Sequence, residues 1–224
     1  MTSTVLLQRC SIEKGNLFSD AEYYVQWKSS ILIEKGVYKL EKTALILVDI
    51  QNDYFPGGKM PLHETEKAAK NARAILDYFR KNNLPLFHIQ HIFKDTQAPF
   101  FAPDTEGVQI HQSVTPLESE TVIQKHFPNS FLHTSLEAEL KNLGIEHVII
   151  VGMMSHMCID ATCRAAVDLG FSCTVLEDAC TCPHLTFNNK TIKAVDVHAA
   201  FMAALGSLYA TIKTTDDFLV KTTN

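Results

Sequence analysis

The chain has 224 residues, 46% of them hydrophobic and 20% charged, a composition that supports a full buried core and excludes disorder as the main state. Lys and Arg total 20 against 25 Asp and Glu, so the net charge of −5 and pI near 6.0 speak against a binder of nucleic-acid phosphates. No apolar run approaches the roughly 20 residues that cross a bilayer, and residues 1–16 lack the basic and apolar segments of a secretory signal, so a cytoplasmic protein without a membrane partner is expected.

Residues 1–41 show scattered apolar positions (Tyr23, Tyr24, Trp27, Ile31) without a lasting period and read as an N-terminal extension to a single domain over 42–224. From Thr43 the pattern becomes regular. Ala44-Leu45-Ile46-Leu47-Val48 is continuously apolar, which predicts a strand buried on both faces. Ala68, Ala69, Ala72, Ile75, Leu76 and Phe79 recur at helical spacing. Leu86-Phe87-His88-Ile89 predicts the next strand, and residues 94–115, with Pro99 and Pro103, a long loop suited to a lid or a binding role. Strands are then predicted at 121–124, 147–151, 172–176 and 210–214, with helices at 134–142, 158–169 and 192–208. This alternation predicts an α/β fold of three layers, Rossmann-like, with a mostly parallel sheet of about six strands.

In such sheets ligands bind beyond the carboxyl ends of the strands. Three reactive residues are predicted there: Asp49 after the first strand, Lys125 after 121–124, and Cys158 at the opening of the 158–169 helix. A thiolate is the reactive form of cysteine, and a helix N-terminus and a nearby ammonium both favour it. A carboxylate can take the thiol proton and return it to a leaving amine. Backbone N–H groups in the turn before Cys158 are placed to hold an oxyanion. Together these describe amide hydrolysis through a thioester. Taken singly, each residue also has a plainer reading: a turn cap, a solvated strand end, a small core filler.

The six cysteines (10, 158, 163, 173, 180 and 182) form no CxxC pair and are expected to be free thiols. Cys180-x-Cys182-x-His184 offers zinc-ligand types but no fourth ligand at a common spacing. His198 lies in an Ala-rich helix, where core packing is its expected role. Glycine-rich phosphate loops are absent, so nucleotide binding has no support.

Val48-Asp49-Ile50-Gln51-Asn52-Asp53-Tyr54-Phe55 resembles the first motif of the isochorismatase-like cysteine hydrolases, the superfamily that includes the nicotinamidases. Lys125-His126-Phe127-Pro128-Asn129-Ser130-Phe131 is similar to their lysine motif. Gly152-Met153-Met154-Ser155-His156-Met157-Cys158-Ile159-Asp160-Ala161-Thr162 is similar to their nucleophile motif. The resemblance covers roughly residues 42–214, and its last helix also resembles streptothricin hydrolases. It implies Asp49 as general base and acid, Lys125 as the cation that lowers the thiol pKa, and Cys158 as nucleophile. It further implies a cis peptide at Met153–Met154 and an oxyanion hole from the N–H groups of Met154 and Cys158. Tyr54 and His156 become candidate substrate contacts. Nicotinamidases carry an Asp-x-His metal pair after the second strand; here those positions hold His91 and Phe93, so no metal and no cofactor are expected. The expected partner is a small-molecule amide, and a homo-oligomer is expected from the relatives. Two other readings stay open: a vinyl-ether hydrolase of the isochorismatase type using Asp49, and a non-catalytic α/β binding protein.

Overall fold

The computed structural model describes residues 40–222, so the expected N-terminal extension, up to residue 39, and Cys10 lie outside the described residues. In chain order the strands are β1 (Thr43–Val48), β2 (Leu86–His91), β3 (Thr121–Lys125), β4 (His147–Met153), β5 (Ser172–Thr181), β6 (Leu185–Phe187), β7 (Lys190–Ile192) and β8 (Ala210–Lys213). The helices are α1 (Thr65–Lys81), α2 (Leu136–Asn142), α3 (Asp160–Asp168), α4 (Ala194–Leu208) and α5 (Thr215–Thr222).

Every residue of β1 is buried, as its unbroken apolar run predicts. Its side chains alternate: Leu45 and Leu47 enter one core, while Ala44, Ile46 and Val48 enter another. A strand without a solvent face belongs inside a sheet covered on both sides. Six strands form that sheet in the order β3-β2-β1-β4-β5-β8, all paired in parallel. Helix α1, through Ala72, Ile75, Leu76 and Phe79, and α5, through Phe218, pack on the Leu45 side. Helix α2, through Leu136 and Leu140, and α3, through Cys163 and Ala166, pack on the Ile46 side. Helix α4 contributes Ala194 and Val197 to the first core and Met202 and Leu205 to the second. The result is the expected three-layer α/β fold.

The elements depart from expectation where the chain breaks its own period. Strand β5 runs to Thr181 because it pairs twice with β4, at Ile150↔Val175 and again at Gly152↔Cys180, with an irregular stretch between. Beyond it, β6 and β7 form an antiparallel hairpin closed by Asn188 and Asn189, both at positive φ (48° and 57°), as a tight hairpin turn requires. The hairpin takes Ile192, the residue expected to open the last long helix, which begins at Ala194. Gly152 holds β4 against β1: its φ is +123°, and a Cβ there would lie 2.0 Å from the Val48 carbonyl oxygen. Among the described residues no helix is long and apolar enough to cross a membrane, and the described cysteines are all free.

His147, at the start of β4, is buried, with Nδ1 2.8 Å from Ser172 Oγ and Nε2 3.0 Å from Thr174 Oγ1. Burial, with a smaller contribution from the Lys213 charge, pushes its pKa down to about 4. An unfolded histidine takes its proton near 6.5. Between those values the unfolded chain gains a proton that folded His147 refuses, so stability falls as pH drops through the window and is unaffected above it. The full effect is about 3 kcal/mol. A His147→Gln variant should lose that part of the acid sensitivity, measured by urea unfolding above the window and near its lower edge.

Candidate active site

The sheet order sets out the site. Lys125 ends β3, His91 ends β2, Asp49 follows β1, and Cys158 follows β4 through a short turn, so reactive groups lie at the carboxyl ends of four neighbouring strands. His91 and Lys125 are register partners. Asp49, with φ +52°, turns the chain out of β1 while its N–H donates to the Ile89 carbonyl at 3.1 Å. Gln51 then fastens this turn to β2. Its Nε2 donates to the carbonyls of His91 (2.9 Å) and Val108 (2.7 Å), and its Oε1 accepts from the His91 N–H (2.8 Å).

Lys125 Nζ lies 2.9 Å from Asp49 Oδ2 and donates to the Pro128 carbonyl at 2.8 Å. Both side chains are completely buried. Burial alone would lower the lysine pKa, but the charge of Asp49 and the neighbouring Cys158 outweigh it and hold Lys125 charged. The ligating atoms of Asp49, His91 and Cys158 all lie within 4.8 Å of one another. Cys158, 3% exposed, lies beside this ion pair, its Sγ within 4.8 Å of an Asp49 carboxylate oxygen. The lysine loop is tied to the nucleophile helix as well: Ser130 Oγ is 2.8 Å from Thr162 Oγ1, which also accepts the Ser130 N–H.

The turn before Cys158 contains a cis peptide at Met153–Met154, as the resemblance implied. Residues Ser155–Ile159 form a π-helical turn, in which the Met154 carbonyl accepts the N–H groups of Met157 and Ile159. His156 is half-buried, its ring 6.0 Å from that of Phe201 on α4. Tyr54 is 1% exposed, and burial, with the charge of Asp49 beside it, pushes its phenol pKa well up, so it stays protonated.

One physical expectation fails. The thiol pKa of Cys158 is raised, not lowered: burial and the Asp49 carboxylate push it up, and the opposing effect of Lys125 is too small to reverse them. The resting residue is a thiol. Iodoacetamide at neutral pH should therefore modify Cys158 more slowly than an ordinary exposed thiol, as measured by mass mapping of the alkylated peptides.

Three features escaped the sequence. His91 is the first. It ends β2 between the strands that carry Asp49 and Lys125, its Nδ1 is 4.0 Å from Asp49 Oδ2, and burial keeps it neutral; its place at a strand end was the signal. The second is an aromatic wall formed by Phe93 and the 94–115 loop. Phe101 packs on Tyr54 at 4.5 Å, and Phe93 packs on His91 at 4.7 Å and on Phe100 at 5.2 Å. Asp53 holds this wall, because its Oδ2 accepts the Phe101 N–H at 2.6 Å. Phe93 has no donor atom and lies in a stack of rings, so the residues do not fit the metal pair of nicotinamidases.

The third is a chain behind the nucleophile turn: Ser155 Oγ is 2.8 Å from His198 Nδ1, and His198 Nε2 is 3.4 Å from Glu177 Oε2. His198 is thus more than packing. Ser155 is fully buried, so His198→Leu should cost about 1–3 kcal/mol by leaving its hydroxyl unpaired. His198→Gln should cost less, and urea unfolding of both variants checks this. Cys180, Cys182 and His184 do not gather into a metal cluster among the described residues; His184 Nδ1 instead accepts the Ala194 N–H and caps α4.

The comparisons agree with this geometry. The model of the isochorismatase domain matches residues 43–207. The isochorismatase family protein YddQ of Bacillus subtilis is 56% identical over 79% of this chain and 98% of its own. The crystal structure of an isochorismatase from Pseudomonas putida KT2440 superposes with a TM-score of 0.78 at 31% identity, covering 86% of this chain and 97% of that one. Streptothricin hydrolase of Streptomyces noursei is 29% identical over 73% of this chain and 56% of its own. With a buried carboxylate, ammonium and thiol at the carboxyl edge of this sheet, the chain belongs to the isochorismatase family and is a hydrolase of that family.

Proposed function

We propose that the protein cleaves the C–N bond of a small amide through a thioester on Cys158. The observation that carries this reading is the Asp49–Lys125 ion pair, closed to water, with the Cys158 sulfur within 4.8 Å of the Asp49 carboxylate. The streptothricin hydrolase relative supports amide chemistry.

Asp49 takes the Cys158 proton as Sγ attacks the carbonyl carbon, so the buried thiol becomes a thiolate only as the new C–S bond forms. Lys125 keeps the carboxylate in place and stabilises the negative charge near sulfur. The N–H groups of Met154 and Cys158 receive the oxyanion. As the tetrahedral intermediate collapses, the C–N bond breaks and Asp49 passes its proton to the departing amine, leaving an acyl-thioester. Water then gives a proton to Asp49 and attacks the thioester. The acid departs, and the proton returns to sulfur. Tyr54 and His156 are the proposed substrate contacts, and the aromatic wall of Phe93, Phe100 and Phe101 favours a substrate with a flat or apolar part.

The test is a screen of small primary and secondary amides for released ammonia or amine, run beside Cys158→Ala. Turnover in the wild type and none in the variant supports the reading. Turnover that survives in Cys158→Ala overturns it in favour of acid catalysis by Asp49, as vinyl-ether hydrolysis would need.

A further inference from the structure

The groups assembled for catalysis are also ligands for a thiophilic metal ion. We propose that Asp49, His91 and Cys158 form a binding site for a soft divalent cation of the Zn²⁺ or Cd²⁺ class, and that the bound ion shuts the enzyme off by capping the nucleophile.

A carboxylate, an imidazole and a thiol, all buried, have ligating atoms within 4.8 Å of one another, a separation that one ion can bridge. Two of these side chains also carry polar atoms without partners. Asp49 Oδ1 and His91 Nε2 are buried without a hydrogen bond among the described residues, and the residues are 0% and 5% exposed. Unpaired buried polar atoms are rare and carry a cost that a bound ligand removes.

Lys125 decides which ions enter. It occupies Asp49 Oδ2 at 2.9 Å, leaving Oδ1 as the open oxygen, and its positive charge opposes any cation. Mg²⁺ and Ca²⁺ gain nothing from sulfur and are kept out. Zn²⁺ and Cd²⁺ form a metal–thiolate bond that offsets the repulsion. On binding, the S–H bond of Cys158 breaks, its proton leaves to solvent, and the electron pair on sulfur goes to the metal. This ligand set differs from the nicotinamidase pair, whose second position is Phe93 here, and it includes the nucleophile itself. Occupancy and catalysis therefore exclude each other.

Inhibition rests on the catalytic reading above; binding does not. The experiment is a titration of the full chain with Cd²⁺, followed by calorimetry and by the ultraviolet thiolate-to-cadmium absorption. Expected are an ion bound through a thiolate in the wild type, an affinity weakened by about 10- to 100-fold in His91→Gln, and no such absorption from the site in Cys158→Ser. No binding by the wild type, or equal binding by the wild type and His91→Gln, overturns the proposal. Far-UV circular dichroism compares the folds, and if Cys158→Ser fails to fold, His91→Gln decides alone. An amide screen that finds no substrate would remove the catalytic reading and leave the titration unaffected.

Discussion

A Cys158→Ala variant should lose amide hydrolysis by about 10⁴-fold or more, the scale seen when one member of a concerted nucleophilic triad is removed. The size of the loss follows from what remains. Asp49 and Lys125 would still form their ion pair, and the turn at Met154 would still present its N–H groups, so the variant keeps binding and oxyanion stabilisation but has no atom to attack the carbonyl. Cys158→Ser separates nucleophile strength from shape. Its hydroxyl fits the same space yet is a weaker nucleophile, and its activity should stay near that of Cys158→Ala. A direct sign of the thioester is capture by hydroxylamine: the wild type turning over an amide should yield a hydroxamate, and Cys158→Ala should not. Rapid hydroxamate formation by Cys158→Ala would mean that sulfur is not where the acyl group rests. The raised thiol pKa of Cys158 sharpens the expectation, because it makes proton transfer to Asp49 part of the attack. Asp49→Asn should then be nearly as inactive as Cys158→Ala, although its sulfur is untouched.

The chain's own pattern makes much of the frame legible. The unbroken apolar run of β1 can be satisfied only between two helical layers, and the alternation of strands and helices leaves a parallel sheet as the arrangement that buries them all. Asp49, Lys125 and Cys158 could be placed at one edge because residues after parallel strands collect there. What escaped depends on distances between segments far apart in the chain. His91 reads only as a departure from the nicotinamidase metal pair until β1 and β3 are known to flank it. The twofold pairing of β5 with β4 has no local signature, so the strand seems to stop at Leu176. The thiol pKa of Cys158 was misjudged for a related reason: the favourable charge of Lys125 can be read from a motif, whereas the closure of the site over sulfur is a property of the whole fold. The aromatic wall follows the same rule, since Phe100 and Phe101 gain meaning only once Asp53 holds their loop against Tyr54.

The largest stability effect should come from Lys125→Met, expected to destabilise the fold by about 3–5 kcal/mol, because it strands a buried carboxylate without its cation. Methionine fills the space of the lysine stem, so the loss measures charge and hydrogen bonding more than packing. Two interactions disappear together: the 2.9 Å ion pair with Asp49 and the 2.8 Å hydrogen bond that holds the 125–128 turn through the Pro128 carbonyl. They can be separated by a second substitution. In Lys125→Met with Asp49→Asn the uncompensated charge is gone, and most of the stability should return, since replacing both members of a buried pair costs far less than removing one. What is still missing in the double variant reports the turn. Urea unfolding of the wild type, both single variants and the double variant closes the cycle. If the double variant were as unstable as Lys125→Met, the ion pair would carry little of the effect, and Lys125 would act chiefly as a strut for the turn. Recovery of stability in the double variant would show that the ammonium of Lys125 is what makes a buried Asp49 carboxylate tolerable to the fold.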